Sequence, residues 1–285
     1  MAVILLYAIN KCYFIFLILI NMDSTGIIQK KMMEYYSHYY RDICSLRDWR
    51  QRAEQRLHEE EREKMELRER EKILSMKFTE HQKHFVFGAG TGGLVVALQQ
   101  NYSCEVFGIE PSEAEFEIIQ EKCKRHNIPL ENFRKEFGEN ISFDSNQFDV
   151  VHCYTVLEHV DDVERCMDEM IRIVKPGGLI YMNTPNYRFP YERHYKIVFP
   201  TFLPKIFGRL YLFLMRRRTS FLSTINFVTE KSINKILVRK KNIVWYRLYR
   251  PFNNPKSRLN FLYNFLLFKL FVYPNQEIII SKQFE

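Results

Sequence analysis

The sequence predicts an α/β fold: a three-layer sandwich around a mostly parallel seven-stranded sheet that ends in a C-terminal antiparallel hairpin. Three observations predict it. Between residues 81 and 184, short apolar runs alternate with amphipathic stretches of helical length, the pattern of strands joined by right-handed helical crossovers. Eight of the ten glycines lie between Gly88 and Gly178, and the densest cluster sits where a strand gives way to a helix. Two β-rich runs near the end of the chain have no obligatory crossover helix between them, which suits an antiparallel pair added to the sheet edge.

Four stretches follow in order. Residues 1–31 open with an apolar segment interrupted by Asn10 and Lys11. Its unbroken run from Cys12 to Ile20 falls short of the roughly 20 residues a bilayer requires, and no basic stretch precedes it. An anchor, an interfacial segment and an extension upstream of a start at Met22 or Met32 all fit. Residues 32–80 form a helical cap. It begins Met-Met-Glu-Tyr-Tyr-Ser-His-Tyr-Tyr and continues as one charged helix over 47–77, with Trp49, Ala53 and Leu57 on a single stripe. Opposite charges four apart, Glu60/Lys64 and Glu66/Arg70, suggest a solvated helix packed by one end; without heptads, a coiled coil is the weaker reading.

Residues 81–184 are the core. Strands are expected at 84–87, 105–109, 132–137 (weak), 148–154 and 179–183, and helices at 94–100, 112–126 and 161–174. Asp161 is the expected N-cap of the last helix, and Pro176-Gly177-Gly178 should stop the chain before the fifth strand. Residues 185–285 change character, with Pro185, Pro190, Pro200 and Pro204 early, a Thr-capped helix at 229–237, and the two late strands at 242–249 and 277–281. An aromatic insert, 258–273, separates those strands.

Composition bounds the function. In 285 residues, 24 Phe and 17 Tyr supply ample apolar area, which excludes a disordered chain. Six scattered cysteines without a C-x-x-C pair argue against a disulfide framework or zinc ribbon and for a reducing, cytoplasmic setting. The net charge of +8 is divided: from residue 186 onward there are 19 Lys and Arg against four acids, while residues 1–185 hold 23 against 30. An anionic partner for the last third is implied. Pro204–Leu222, where Lys205, Arg209 and Arg216-Arg217-Arg218 mix with Phe, Leu and Tyr, reads equally as an interfacial stretch meeting lipid headgroups or as a helix over the substrate cleft. Nucleic acid ranks third, because no recognition motif supports the charge.

Chemistry concentrates in two places. Gly88-Ala89-Gly90-Thr91-Gly92-Gly93 lies between strand and helix, where glycine permits positive φ and lets a ligand approach the backbone. Gly88, Gly90 and Gly93 have G-x-G-x-x-G spacing. Glu110 ends the second strand, 22 residues after Gly88, where a carboxylate can accept both hydrogen bonds of a ribose diol.

Five segments in order, Gly88-Ala89-Gly90-Thr91-Gly92, Gly108-Ile109-Glu110-Pro111, Asn146-Gln147-Phe148-Asp149-Val150-Val151, Val156-Leu157-Glu158-His159-Val160 and Val174-Lys175-Pro176-Gly177-Gly178, resemble the class I S-adenosylmethionine-dependent methyltransferases. Within that family the segment from Thr184 to Pro200 is similar to methyltransferases of quinone precursors and surface-glycan sugars. The resemblance implies a Rossmann-like fold whose terminal hairpin distinguishes it from nicotinamide dehydrogenases, and S-adenosylmethionine as cofactor. It places Gly88, Ala89, Gly90 and Gly92 along the methionine moiety, Glu110 on the ribose, Glu139 near the adenine, and Tyr154 and Thr155 facing cofactor and acceptor. It also implies that Tyr35, Tyr36, Tyr39 or Tyr40 closes over the cofactor. One departure stands out: the family's acid two residues before the first glycine is Val86 here.

Methyl transfer to oxygen needs a base near neutral pKa, and His159 and His194 are the candidates, with Glu192 and Arg193 as orienting or anion-binding neighbours of His194. Sequence spacing shows no metal-ligand set. The expected function is methyl transfer to a small or lipid-linked acceptor, with peripheral membrane contact through the basic last third. The rival, motivated by Val86, is a catalytically silent relative of such enzymes that recruits a partner or membrane.

Overall fold

The computed structural model describes residues 25–199, 201, 203–248 and 273–284. The apolar segment through residue 24, and the aromatic insert apart from Tyr273, lie outside the described residues. A helix over 25–37 (α1) crosses the expected boundary at 31/32 and ends in a π-helical turn, His38–Ile43. The strands are β1 (Lys83–Phe87), β2 (Glu105–Ile109), β3 (Phe133–Arg134), β4 (Phe148–Tyr154), β5 (Val174–Pro185), β6 (Ile243–Leu248) and β7 (Asn275–Lys282). They form one seven-stranded sheet in the order β3-β2-β1-β4-β5-β7-β6. Pairings from β3 to β5 are parallel, and β7 runs antiparallel to both β5 and β6. The α/β sandwich with its antiparallel hairpin is the predicted one.

Alternation along the strands creates the two faces. Val86, Val106, Val150, Tyr181 and Ile279 meet one helix layer: α3 (Glu59–Leu74), α4 (Gly93–Tyr102) and α5 (Glu113–His126). Their neighbours Phe85, Phe87, Val151, Ile180, Ile278 and Ile280 meet α6 (Val163–Ile173) and α8 (Glu230–Leu237). Both faces are covered, as parallel sheets require. Helix α8 opens with the expected Thr229 cap, completed as a box by Ser232.

Several expectations need correction. The charged stretch is two helices, α2 (Trp49–Arg56) and α3, broken at Leu57–His58. Nor is α3 solvated: Glu59, Leu67, Arg70, Glu71 and Leu74 are buried, because α3 lies across the sheet face. Of its expected pairs, Glu66 and Arg70 stand 3.5 Å apart, whereas Glu60 instead reaches Lys122, 3.0 Å away. Asp162, not Asp161, caps α6, accepting from Arg165 N. Finally, β5 runs through Pro176-Gly177-Gly178. Phe148 pairs with Val174 and Val150 with Leu179, so the intervening residues form a bulge that holds the strand in the sheet. The weak third strand shrinks to Phe133–Arg134.

The five described cysteines are free and buried. No helix of the described residues is long and apolar enough to cross a membrane.

Candidate active site

The glycine loop sits at the carboxyl edge of β1, the crevice position of an open α/β sheet. Gly88 has φ +72°, and a Cβ there would stand 2.6 Å from Val156 Cγ2, just beyond β4. Gly92, at φ +82°, is the N-cap of α4. Both positions require glycine, the first for space as well as conformation. At Gly90 a Cβ would meet only the Glu115 carboxylate, at 3.6 Å, so the loop backbone is open to a ligand there.

Glu110, at the end of β2, turns its carboxylate to this loop. Gly90 N donates to Oε2 (2.8 Å) and Ser112 N to Oε1 (2.9 Å). The two sequence-predicted halves therefore face one another. Each oxygen retains a lone pair for a further donor, which is what a ribose diol presents. Burial raises the Glu110 pKa while the two amides oppose that shift. Glu115 beside it is pushed up to about 7 by burial and by Glu110. An acid pair bordering a glycine cradle fits a cationic adenosyl sulfonium: the donors and acceptors match its ribose, and the acids its positive charge.

Tyr36, among the tyrosines named from sequence, is buried on the loop: its hydroxyl lies 2.8 Å from Thr91 Oγ1 and donates to Glu59 Oε2 (3.0 Å). Glu59 Oε1 accepts from Thr91 Oγ1 (2.6 Å) and Lys122 Nζ (2.8 Å). Burial works against the Glu59 charge, but Lys122, the Thr91 hydroxyl and Arg56 outweigh it and lower the pKa. Sequence reasoning missed Glu59, Thr91 and Lys122 as a clamp. Three consecutive glutamates on a charged helix carry no local sign that one of them is buried.

Glu139, expected near the adenine, has its side chain at the start of α6. Its Oε1 accepts from Asp161 N (2.8 Å) and Asp162 N (3.1 Å), and its carbonyl from Arg165 Nε (2.7 Å), so it braces the start of α6. Tyr154 ends β4 with the Arg70 guanidinium 5.2 Å from its ring centre. Thr155 follows at φ +55°, its amide bonded to Asn183 O (2.7 Å). This strained turn carries the chain from Tyr154 past Val156 toward His159. Val86 is buried in the core.

The two candidate histidines, 35 residues apart in sequence, meet: His194 Nε2 lies 3.2 Å from His159 Nε2. His194 Nδ1 lies 2.6 Å from Glu192 Oε1, which also accepts from Tyr187 OH (3.2 Å), while Tyr195 N donates to Glu192 Oε2 (2.7 Å). Burial opposes the Glu192 charge, yet His194 and these donors lower its pKa. Arg193 donates to Asn275 Oδ1 while its charge also acts on Glu158 and Tyr187. His159 keeps an edge in solvent, but crowding and then His194 lower its pKa to about 4. Glu158, fully buried, accepts from Thr184 Oγ1 (3.1 Å) through Oε2, while Oε1 has no partner. Phe221, on the 3-10 turn Ser220–Thr224, roofs the pair at 5.9 Å from His159 and 5.3 Å from His194, and touches Tyr39 of the cap at 6.1 Å.

Comparison with known proteins gives this arrangement its class. Residues 85–182 match a family model described as a methyltransferase domain. The core is that of a class I S-adenosylmethionine-dependent methyltransferase, and S-adenosylmethionine is that family's cofactor. Among the relatives, the ubiquinone biosynthesis O-methyltransferase of Coxiella burnetii is 26% identical over 118 residues, covering 41% of this chain and 50% of that one. The demethylmenaquinone methyltransferase of Staphylococcus saprophyticus is 30% identical over 161 residues, 52% of this chain and 64% of its own. The chain thus spans about half the length of the first of these relatives. Among solved structures, the YcgJ protein of Bacillus subtilis superposes with a TM-score of 0.50 at 13% identity, over 75% of this chain and 96% of its own, a likeness of fold.

Proposed function

We propose that the protein transfers the methyl group of S-adenosylmethionine to an oxygen of a small or lipid-linked acceptor. The observation that carries the reading is the Gly90–Glu110 bond, which fixes a carboxylate at the rim of an open glycine cradle. The cofactor supplies an already activated methyl carbon on a sulfonium, so the chain has to bind, align and exclude water. Gly88, Ala89, Gly90 and Gly92 would hold the methionine part, Glu110 the ribose and the segment around Glu139 the adenine side. Tyr154 ends the strand between cradle and acceptor. The clamp of Tyr36, Glu59 and Lys122 closes the cap over the loop and keeps solvent out. His159 and His194, past Val156 on the same rim, stand where the acceptor oxygen is activated, under the Phe221 roof.

A lipid-linked acceptor is supported by α7 (Lys205–Leu214). Its inner residues Gly208 and Leu212 are buried, whereas Ile206, Phe213 and Leu214 are about 70% exposed, with Phe207 and Leu210 beside them. Arg209 and Arg216-Arg217-Arg218 flank that face, a basic, apolar surface suited to an anionic lipid headgroup layer. The names of the quinone-biosynthesis relatives point to the same acceptor class.

Titration calorimetry with S-adenosylhomocysteine tests the cofactor; no heat at high micromolar ligand refutes it. Incubating the purified protein with S-adenosylmethionine and cell metabolites, then searching for products heavier by one methylene, identifies the acceptor. Sedimentation with anionic vesicles tests α7, with Phe213→Glu expected to abolish binding.

A further inference from the structure

We propose that Glu158, His159 and His194 form a binding site for a divalent transition-metal ion. One ligand atom of each lies within 4.8 Å of the others. Three features support it independently of methyl transfer.

The spacing is right. Two nitrogens held at about 2.0–2.1 Å by a tetrahedral ion stand about 3.3 Å apart, and the two Nε2 atoms are 3.2 Å apart. The tautomer is right. Glu192 accepts from Tyr187 OH and Tyr195 N and takes the Nδ1 proton of His194, which leaves the Nε2 lone pair aimed at His159. A carboxylate behind a histidine is the usual second layer of a metal ligand, fixing the ring and raising its basicity. The charge is also right. Glu158 Oε1 is buried without a partner, an expensive state for a carboxylate oxygen that a cation within reach would relieve.

Two histidines and one carboxylate suit zinc, manganese, iron(II) or cobalt more than magnesium or calcium, which favour all-oxygen shells. Three protein ligands leave a position open, on the side where His159 reaches solvent beneath Phe221. On the methyl-transfer reading, and only there, that position would take the acceptor oxygen. A hydroxyl bound to the ion would lose its proton to solvent more easily, leaving an oxyanion for the methyl carbon. The ion would thus do the activating that a lone histidine base would otherwise do.

The test uses the full chain, stripped with chelator and titrated with Co2+. Visible d–d absorption between about 500 and 650 nm, saturating at one equivalent and displaced by Zn2+, is the expected result. His194→Ala and Glu158→Gln should each weaken cobalt binding by at least tenfold, the fall reported for losing a supporting group being 10–100-fold. Both should keep S-adenosylhomocysteine binding, which certifies their fold. Absence of the d–d bands in the wild-type chain, or equal cobalt affinity in variants that still bind S-adenosylhomocysteine, overturns the proposal. Failure of the methyl-transfer reading would appear separately, as lost S-adenosylhomocysteine binding with the cobalt spectrum intact.

Discussion

Replacing Gly88 by alanine perturbs the cradle at its tightest point, and the cost can be worked from two independent sources. At φ +72° an alanine sits in the left-handed region, which costs about 1–2 kcal/mol. Its Cβ would also lie 2.6 Å from Val156 Cγ2 and 3.1 Å from Cγ1, an overpacked contact that forces neighbours aside for about 1–3 kcal/mol. The sum is about 2–5 kcal/mol. Only the second part depends on Val156. Val156→Ala removes both opposing methyls and, being only partly buried, should itself cost about 1–2 kcal/mol. The double variant should then be more stable than the two single losses predict by about 1–3 kcal/mol, a coupling that urea unfolding of all four proteins measures. S-adenosylhomocysteine binding should weaken in Gly88→Ala and recover in part when Val156 is also shortened. Additivity within about 0.5 kcal/mol would refute the contact, and with it the claim that the β1 and β4 loops share one packed rim.

Glu110→Ala should weaken S-adenosylhomocysteine binding by about 100-fold or more in calorimetry, since two hydrogen bonds to a charged group, about 1.5–3 kcal/mol each, are lost. Glu59→Gln removes the buried one of the two carboxylates that hold Lys122, leaving Glu60 at 3.0 Å, and should cost about 1.5–3 kcal/mol in urea unfolding, the value of a hydrogen bond between charged groups. Because the Glu59 pKa is lowered in the folded protein, its contribution is present above the ordinary carboxylate range and lost as pH falls through the folded value. The wild-type advantage over Glu59→Gln should therefore vanish in acid. His84 and His152, stacked in the core with Nδ1 and Nε2 3.0 Å apart, titrate low, His84 at about 4. Burial favours their neutral forms, so stability is full above about pH 6.5 and falls below it as the unfolded chain takes up protons. The slope contributed by the pair should approach about 2.7 kcal/mol per pH unit between 6 and 4, and His84→Phe should reduce it.

Much of this was legible in the chain, because periodicity and turn chemistry are local. Strands β2 and β4 stand at the expected residues, since Glu105–Ile109 and Phe148–Tyr154 are apolar runs bounded by polar residues. The left-handed backbone at Gly88 and Gly92 and the place of Glu110 at a strand end were readable, because glycine clusters and strand ends are local signals. The β5 bulge was hidden, since Pro-Gly-Gly ordinarily ends an element and only pairing with β4 keeps it in the sheet. The bonds of Glu139 to the two amides at the start of α6 were hidden as well, since they join residues more than twenty apart in sequence.

The cap and the histidine cluster share the deeper reason. A charged residue on a helix looks solvated until the surface it meets is known. Glu59, Arg70 and Lys122 are buried because each finds its counterpart on another element: Lys122 on α5, the rings of Tyr154 and Tyr181 on the sheet, Glu59 on α3. The consequence is functional. The clamp ties Tyr36 of α1, Glu59 of α3 and Thr91 of the glycine loop into one hydrogen-bonded set, so the cap cannot lift without exposing a carboxylate already paired. Whatever binds the loop therefore alters the stability of the cap. S-adenosylhomocysteine should accordingly slow amide hydrogen exchange in residues 25–37 and 59–67 as well as in 88–93. Protection confined to the loop would show that cap and cradle move independently and would remove water exclusion from the cap's duties.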